Sequence, residues 1–309
     1  MYFVNVAQII DSAATFPTNW LGHLGKVLRG FPLLFHTIFW DTLCQTMANM
    51  EFEDMSAKKD NALGLYMEGI RDGNPLEALN KYTGQRYTQH STGVANGKQG
   101  FLDFFVPFLE RTPDRDIRVI RSIADGPYVF CHAFQSLNGG EAKWVTMDMF
   151  DTDANDRIIE HWDVISAYVE DTASGEDMVQ GPTEPTDLDL TDANKAIVKE
   201  YTKLVLTEGR FDFIDKFVAA DLIQRSPSLA NGREALSTAL ESGAAGRCEM
   251  LFSLIGEGDF VVTYCKTHQD TQDYATFDLY RLANGLIVEH WEASEPILPR
   301  AQWGNSGKF

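Results

Sequence analysis

Between residues 90 and 163, His90, His132, His161, Asp148 and Asp163 are of types that suit acid–base chemistry. A histidine hydrogen-bonded to an aspartate is held in one tautomer and titrates near neutrality. It can then take a proton from carbon beside a carbonyl, the step that enolisation and ring closure share. His132 and Asp148 fall on runs that read as neighbouring strands about the turn Asn138–Gly139–Gly140, and neighbouring strands lie roughly 5 Å apart. Pairing about that turn puts His132 a little beyond Asp148, within reach where a bulge shifts the register. The expected pair is therefore His132 as base and Asp148 as its orienting partner, with His90 or His161 polarising a substrate carbonyl from the other side. Blander roles compete: Asp148 binding backbone amides at a bulge, His90 capping a turn, His132 serving as a wall residue, His161 satisfying backbone groups. A metal site from His90, His132 and His161 has no short ligand spacing behind it, so neither metal nor cofactor is expected.

The elements that must position these residues are written twice. Ile158 to Asp163 reads IIEHWD and Ile287 to Glu292 reads IVEHWE, each after a short polar turn and a strand-like run. That pattern is a β-hairpin. Gln89 to Gln99 is answered by Gln224 to Glu234, with five of eleven pairs identical at an offset of 135. Such self-similarity over more than a hundred residues means tandem domains, each long enough to close its own core. Alternation along a strand puts His161 and Asp163 on one face and Glu160 and Trp162 on the other. It likewise sets Thr146, Asp148 and Phe150 opposite Val145, Met147 and Met149. The second copy keeps Asp278, His290 and Trp291 but has Arg225, Tyr264 and Glu292 where the first has His90, His132 and Asp163. It is expected to be the less catalytic of the two.

Each copy reads as helices followed by a run of antiparallel strands, an α+β domain with helices on one face of a curved sheet. In the first, helical patterns cover 57–70, 76–82 and 97–109, and strands 116–123, 128–137, 143–150 and 157–168. The expected division is an extension over 1–57, a first domain over 58–168, an acidic linker over 169–191, a second domain over 192–299 and a tail over 300–309. Glu170 to Asp192 holds eight acidic residues and no Lys or Arg, a composition expected to stay solvated. The extension is apolar in patches, and Met47, Met50 and Met55 are plausible alternative starts; a small interaction helix is the competing reading. A net charge of −19 argues against nucleic acid or anionic lipid as partner. No apolar run is long enough for a membrane helix. Cys44, Cys131, Cys248 and Cys265 form no CxxC, so free thiols and a cytoplasmic location are expected.

The text Tyr87–Thr88–Gln89–His90, Asn96–Gly97–Lys98–Gln99–Gly100–Phe101, Ile123–Ala124–Asp125–Gly126, Val129 to His132 and Ile159–Glu160–His161–Trp162–Asp163 resembles the SnoaL-like branch of the nuclear transport factor 2-like superfamily. That branch contains polyketide cyclases and proteins labelled as aldol-condensation enzymes. The resemblance covers nearly all of 58–168 and, less closely, 192–299. It implies two cone-shaped α+β barrels, three helices against a curved sheet in each, with an apolar pocket inside. Tyr87, Phe105, Phe150 and Trp162 would contact ligand in the first cone, and Tyr264, Asp278, His290 and Trp291 in the second. It also implies that the two sheets pair through their open faces as an intramolecular pseudo-dimer; a further homo-oligomer is left open. The acid–base aspartate of the cyclases lies a few residues past the final-strand tryptophan. Here that region holds Ser166 and Ala167, and Ser294 and Glu295 in the second copy, so this aspartate does not carry over. The expected function is a cofactor-independent lyase, isomerase or cyclase acting on a small hydrophobic carbonyl compound. The alternatives are a non-catalytic small-molecule-binding module or a dimerisation module.

Overall fold

The computed structural model describes residues 57–309; the extension read over 1–57, Cys44 and the alternative starts lie outside them, apart from residue 57 itself. Helix α1 covers 57–71 and winds as a π-helix over Leu65–Arg71. Then come α2 (Pro75–Tyr82), β1 (Thr83–Gln89), α3 (Gly97–Arg111), β2 (Arg115–Asp125), β3 (Tyr128–Leu137), β4 (Ala142–Thr152) and β5 (Ile158–Ala167). The order repeats with α4 (Thr191–Tyr201, continued as a π-helix over Thr202–Thr207), a 3-10 helix (Phe211–Lys216), β6 (Val218–Gln224), α5 (Arg233–Ser242), β7 (Arg247–Glu257), β8 (Phe260–Gln269), β9 (Gln272–Ala283) and β10 (Leu286–Pro296). Each half forms one five-stranded sheet, in the orders β1-β5-β4-β3-β2 and β6-β10-β9-β8-β7. Four strands of each are antiparallel, as expected. The fifth, β1 or β6, joins the edge parallel to β5 or β10, so the sheets are mixed.

The duplicated words have local causes. Gly97 and Gly232 take φ of +84° and +94°, a region that only glycine enters cheaply, and each opens the step into a helix. The asparagine before each of them accepts a backbone hydrogen bond from the strand: Gln89 N–H donates to Asn96 Oδ1 at 2.9 Å, and Gln224 N–H to Asn231 Oδ1 at 2.8 Å. Asn284 and Gly285 both have positive φ, as a two-residue hairpin turn requires.

Each sheet has two buried faces. The inner face of the first packs on its own helices through Leu65, Tyr66, Leu79, Phe101, Ala133 and Phe150; Val198, Tyr201, Leu236, Val261 and Tyr280 do the same in the second half. The outer faces share one apolar cluster, with Phe130, Met147, Met149 and Trp162 from the first half and Phe260, Tyr264, Phe277 and Trp291 from the second. Polar contacts across this cluster are reciprocal. Glu257 accepts from Ala124 N–H and pairs with Lys59, while Asp125 accepts from Gly256 N–H and pairs with Lys195. Equivalent residues swap roles, as in an isologous contact.

The acidic stretch 169–191 is solvated over 183–190, as expected, but its first part docks on the two halves. Met178 is buried. Arg121 donates to the carbonyls of Val179, Gln180 and Pro182, the Trp291 indole N–H donates to Gln180 O, and Arg225 donates to Asp177 O. Arginines of both halves, invisible to the composition of the stretch itself, supply the partners that hold its backbone down. Cys131, Cys248 and Cys265 are free and buried. No helix among the described residues is long and apolar enough to cross a membrane.

Candidate active site in the first cone

Strand register decides which candidates meet. In β3 and β4, Cys131 pairs with Asp148 and His132 with Met147, in an uninterrupted ladder. His132 and Asp148 therefore point to opposite faces, and the expected His132–Asp148 pair does not form. The irregularity needed to join them lies one strand away, between Val119 and Arg121 of β2. His132 is fully buried beneath the acidic stretch, and its Nδ1 accepts from Arg121 Nη1 at 2.8 Å. Burial and that guanidinium hold its pKa well below the usual histidine range.

His161 takes the place expected of His132. Asp148 lies opposite Asp163 and Phe150 opposite His161, so His161 and Asp148 are diagonal neighbours on the inner face. His161 Nε2 lies 3.0 Å from Asp148 Oδ1, and its Nδ1 lies 2.8 Å from Gln89 Oε1. The imidazole stacks on Phe150 with ring centroids 4.7 Å apart. Gln89 reaches it because β1 ends there, at the pairing of Gln89 with His161. Asp148 is buried, its Oδ2 has no hydrogen-bond partner, and desolvation raises its pKa despite His161. Next along the wall, Tyr66 OH and Thr146 Oγ1 are 2.6 Å apart, and Gln135 Nε2 donates to Tyr66 OH at 2.7 Å. Burial raises the Tyr66 pKa well above the ordinary phenol value, so its hydroxyl keeps its proton.

These groups face a cavity of about 360 Å³. Phe101, Phe104, Phe105 and Phe108 of α3 line one side with Trp144 and Ile165 opposite, and Asp148, His161, Asp163, Gln89 and Ser91 form the polar end. An apolar enclosure with a few convergent polar groups is the usual form of a small-molecule site. The second half repeats the polar core: His290 Nε2 lies 2.9 Å from Asp278 Oδ1 and its Nδ1 2.8 Å from Gln224 Oε1. There the enclosed space is only about 50 Å³, with Leu206, Leu240 and Ala245 in its wall.

Of the other sequence candidates, Tyr87, Phe105, Phe150 and Asp163 line the first cavity and Asp278 and His290 the second. His90, Trp162, Tyr264 and Trp291 line neither. Trp162, Tyr264 and Trp291 belong to the core shared by the two sheets. His90 stacks on Trp162 at 4.8 Å between centroids and reaches Glu160 Oε1 at 2.8 Å. The motif EHW alternates, so its histidine looks into the cone while its glutamate and tryptophan look out. His90, His132 and His161 are not brought together as metal ligands. Asp148, His161 and Asp163 instead bring three ligand atoms within 4.8 Å of one another, as do Asp278, His290 and Glu292. Gln89, Tyr66, Thr146 and Gln135 are not among the residues singled out from the sequence. Gln89 carried a signal, since the glutamine is kept in both copies while the adjacent His90 becomes Arg225.

No protein-family model and no curated protein matches the chain. Solved structures do. IdmH of Streptomyces antibioticus, a candidate polyketide cyclase, is 20% identical, with 35% of this chain and 91% of that one covered and a TM-score of 0.31. A candidate ketosteroid isomerase from Kribbella flavida is 12% identical over 36% of this chain and 83% of its own, with a TM-score of 0.32. An NTF-2 like protein of unknown function from Burkholderia xenovorans is 19% identical over 37% and 95%, with a TM-score of 0.31. Each half of this chain sets helices first and then a five-stranded sheet, in the orders β1-β5-β4-β3-β2 and β6-β10-β9-β8-β7, the two α+β cones expected from the sequence.

Proposed function

We propose that the first cone is a cofactor-independent acid–base site for a small hydrophobic carbonyl compound, of the lyase, isomerase or cyclase type. The observation that carries this reading is the unpartnered Oδ2 of Asp148 at the polar end of an apolar cavity of about 360 Å³, with His161 held on its other oxygen. A carboxylate deprived of water is a stronger base than one in solution. Oδ2 takes the proton from the carbon beside the carbonyl, the C–H electron pair passes into the enolate, and the Asp148 carboxyl, whose proton exchanges with solvent, returns a proton to carbon. His161 stays hydrogen-bonded at Oδ1 and offsets the charge. Gln89 keeps the imidazole in plane with that bond, and Phe150 fixes its ring. The Tyr66 hydroxyl, retained as a donor, is placed to stabilise the enolate oxygen. In this reading the second half is a structural partner, and the two halves form a pseudo-dimer through their outer faces.

Solvent deuterium exchange at the α-carbon of a panel of cyclic ketones and β-dicarbonyl compounds tests it. Exchange catalysed by the wild type and lost in Asp148→Asn and His161→Gln supports the reading. Exchange retained by both folded variants overturns it.

A further inference from the structure

The cone-1 site borrows a charge from beyond the second half. β1 leaves the edge of β5 at His90, whose N–H donates to His161 O at 2.9 Å. The following acceptor on that edge, the Asp163 carbonyl, is taken by Lys308 Nζ at 2.9 Å, and the same nitrogen donates to Asp163 Oδ1 at 2.9 Å. Lys308 also pairs with Glu295 of β10 and is 2% exposed. A buried ammonium between a carboxylate of each half is costly unless its partners are fixed. The segment carrying it is anchored at several points. Gly304 N–H donates to Thr92 O, and Asn305 Nδ2 donates to the carbonyls of Ser91 and Val94. His90 Nδ1 donates to Gly307 O at 2.6 Å, and Tyr264 OH donates to Lys308 O at 2.8 Å. Phe309 packs on Tyr264 and Phe252. His90 and Tyr264, which face away from both cavities, thus act together in docking this segment.

We propose that Lys308 is a positioning residue of the first cone, delivered by the docked 303–309 segment to hold the Asp163 carboxylate ionised and in place beside His161 and Asp148. The proposal rests on the acid–base reading of that cone. Its logic is a division of labour. Two carboxylates lie opposite each other on β4 and β5, and like charges this close cannot both serve as bases. With Lys308 on Asp163, that group stays an anion and Asp148 is left to exchange protons. The charged and titratable groups facing Asp163 are Asp148 and His161 on the same sheet, Tyr87 of β1, Tyr264 of β8, Glu295 of β10 and Lys308 itself. The Asp163 carboxyl is held below the ordinary range by Lys308 and His161 against the opposing effect of burial. Lys308 does not line the cavity, so it acts through Asp163 and not on substrate.

The test is carboxyl-carbon NMR of the full chain labelled at aspartate, with the Asp163 signal assigned from Asp163→Asn. In the wild type Asp163 titrates below the ordinary aspartate range. In Lys308→Met its proton affinity rises at least tenfold, and in Lys308→Arg it stays within threefold of wild type. An unchanged Asp163 curve in Lys308→Met overturns the proposal. If that variant does not fold, the ammonium nitrogen of Lys308 in the wild-type chain decides. A slowly exchanging signal supports the proposal, and an ammonium that exchanges like a surface lysine overturns it. No substrate enters these measurements, so they can fail while α-proton exchange by the wild type succeeds, and the reverse.

Discussion

Glu292 occupies in the second cone the position of Asp163 in the first, and it has no counterpart of Lys308 among the causes that shift it. Burial and the nearby Asp278 push its carboxyl up to about 7 from an ordinary 4.5, with His290 offsetting part of the effect. The sign follows from linkage. Between those two values the native state holds a proton that the unfolded chain has released, so stability falls as pH rises through this window and is level above it. At about 1.4 kcal/mol per tenfold change in proton affinity, the ionised side chain costs the native state about 3 kcal/mol. Glu292→Gln keeps the shape and removes the charge. Urea unfolding of wild type and variant at pH 5 and pH 8 should therefore show the variant gaining roughly 2 to 3 kcal/mol on the wild type across that interval. The gain appears at pH 8, where the wild type carries the partly buried anion. A differential below about 0.5 kcal/mol between the two pH values would refute the reasoning. Asp163→Asn is the control with the opposite sign. Its depressed carboxyl contributes stability above the ordinary aspartate range that is lost as pH falls through the lower native value, so that variant is destabilised at pH 7.

The same linkage applies to His132, whose native pKa is lowered by burial and Arg121. The unfolded chain takes up a proton near pH 6.5 that the native state refuses, so this contribution declines as pH falls below that value, and His132→Asn should flatten the decline in thermal-melt midpoint. Blocking the first cavity by Val94→Trp, at a buried lining position, should abolish binding of an apolar ligand by calorimetry, while Leu229→Trp in the second cone should leave it intact. Limited proteolysis should nick the exposed residues Thr183 and Glu184, yet the halves should co-elute on gel filtration because they share a core. Residues 57–168 expressed alone would expose Phe130, Met147, Met149 and Trp162 and should self-associate; a stable monomer would contradict the shared-core account.

The sequence by itself settled the repeat, the order of helices and strands, and the faces of the final strands. Those follow from local physics: alternation puts His161 and Asp163 together, and the asparagine and glycine of the duplicated words are demanded by a backbone hydrogen bond and a positive φ that both halves need. Register and long-range docking were another matter. Whether His132 or His161 meets Asp148 depends on one residue of slip between β3 and β4, which no short-range signal encodes. The capture of the acidic stretch by Arg121 and the burial of Lys308 against Asp163 join residues 58 to 145 positions apart. Such pairings exist only once both sheets have closed on each other. Tertiary structure alone therefore decided that one cone is open and the other nearly filled, and that Lys308, beyond the second half, reaches Asp163 in the first.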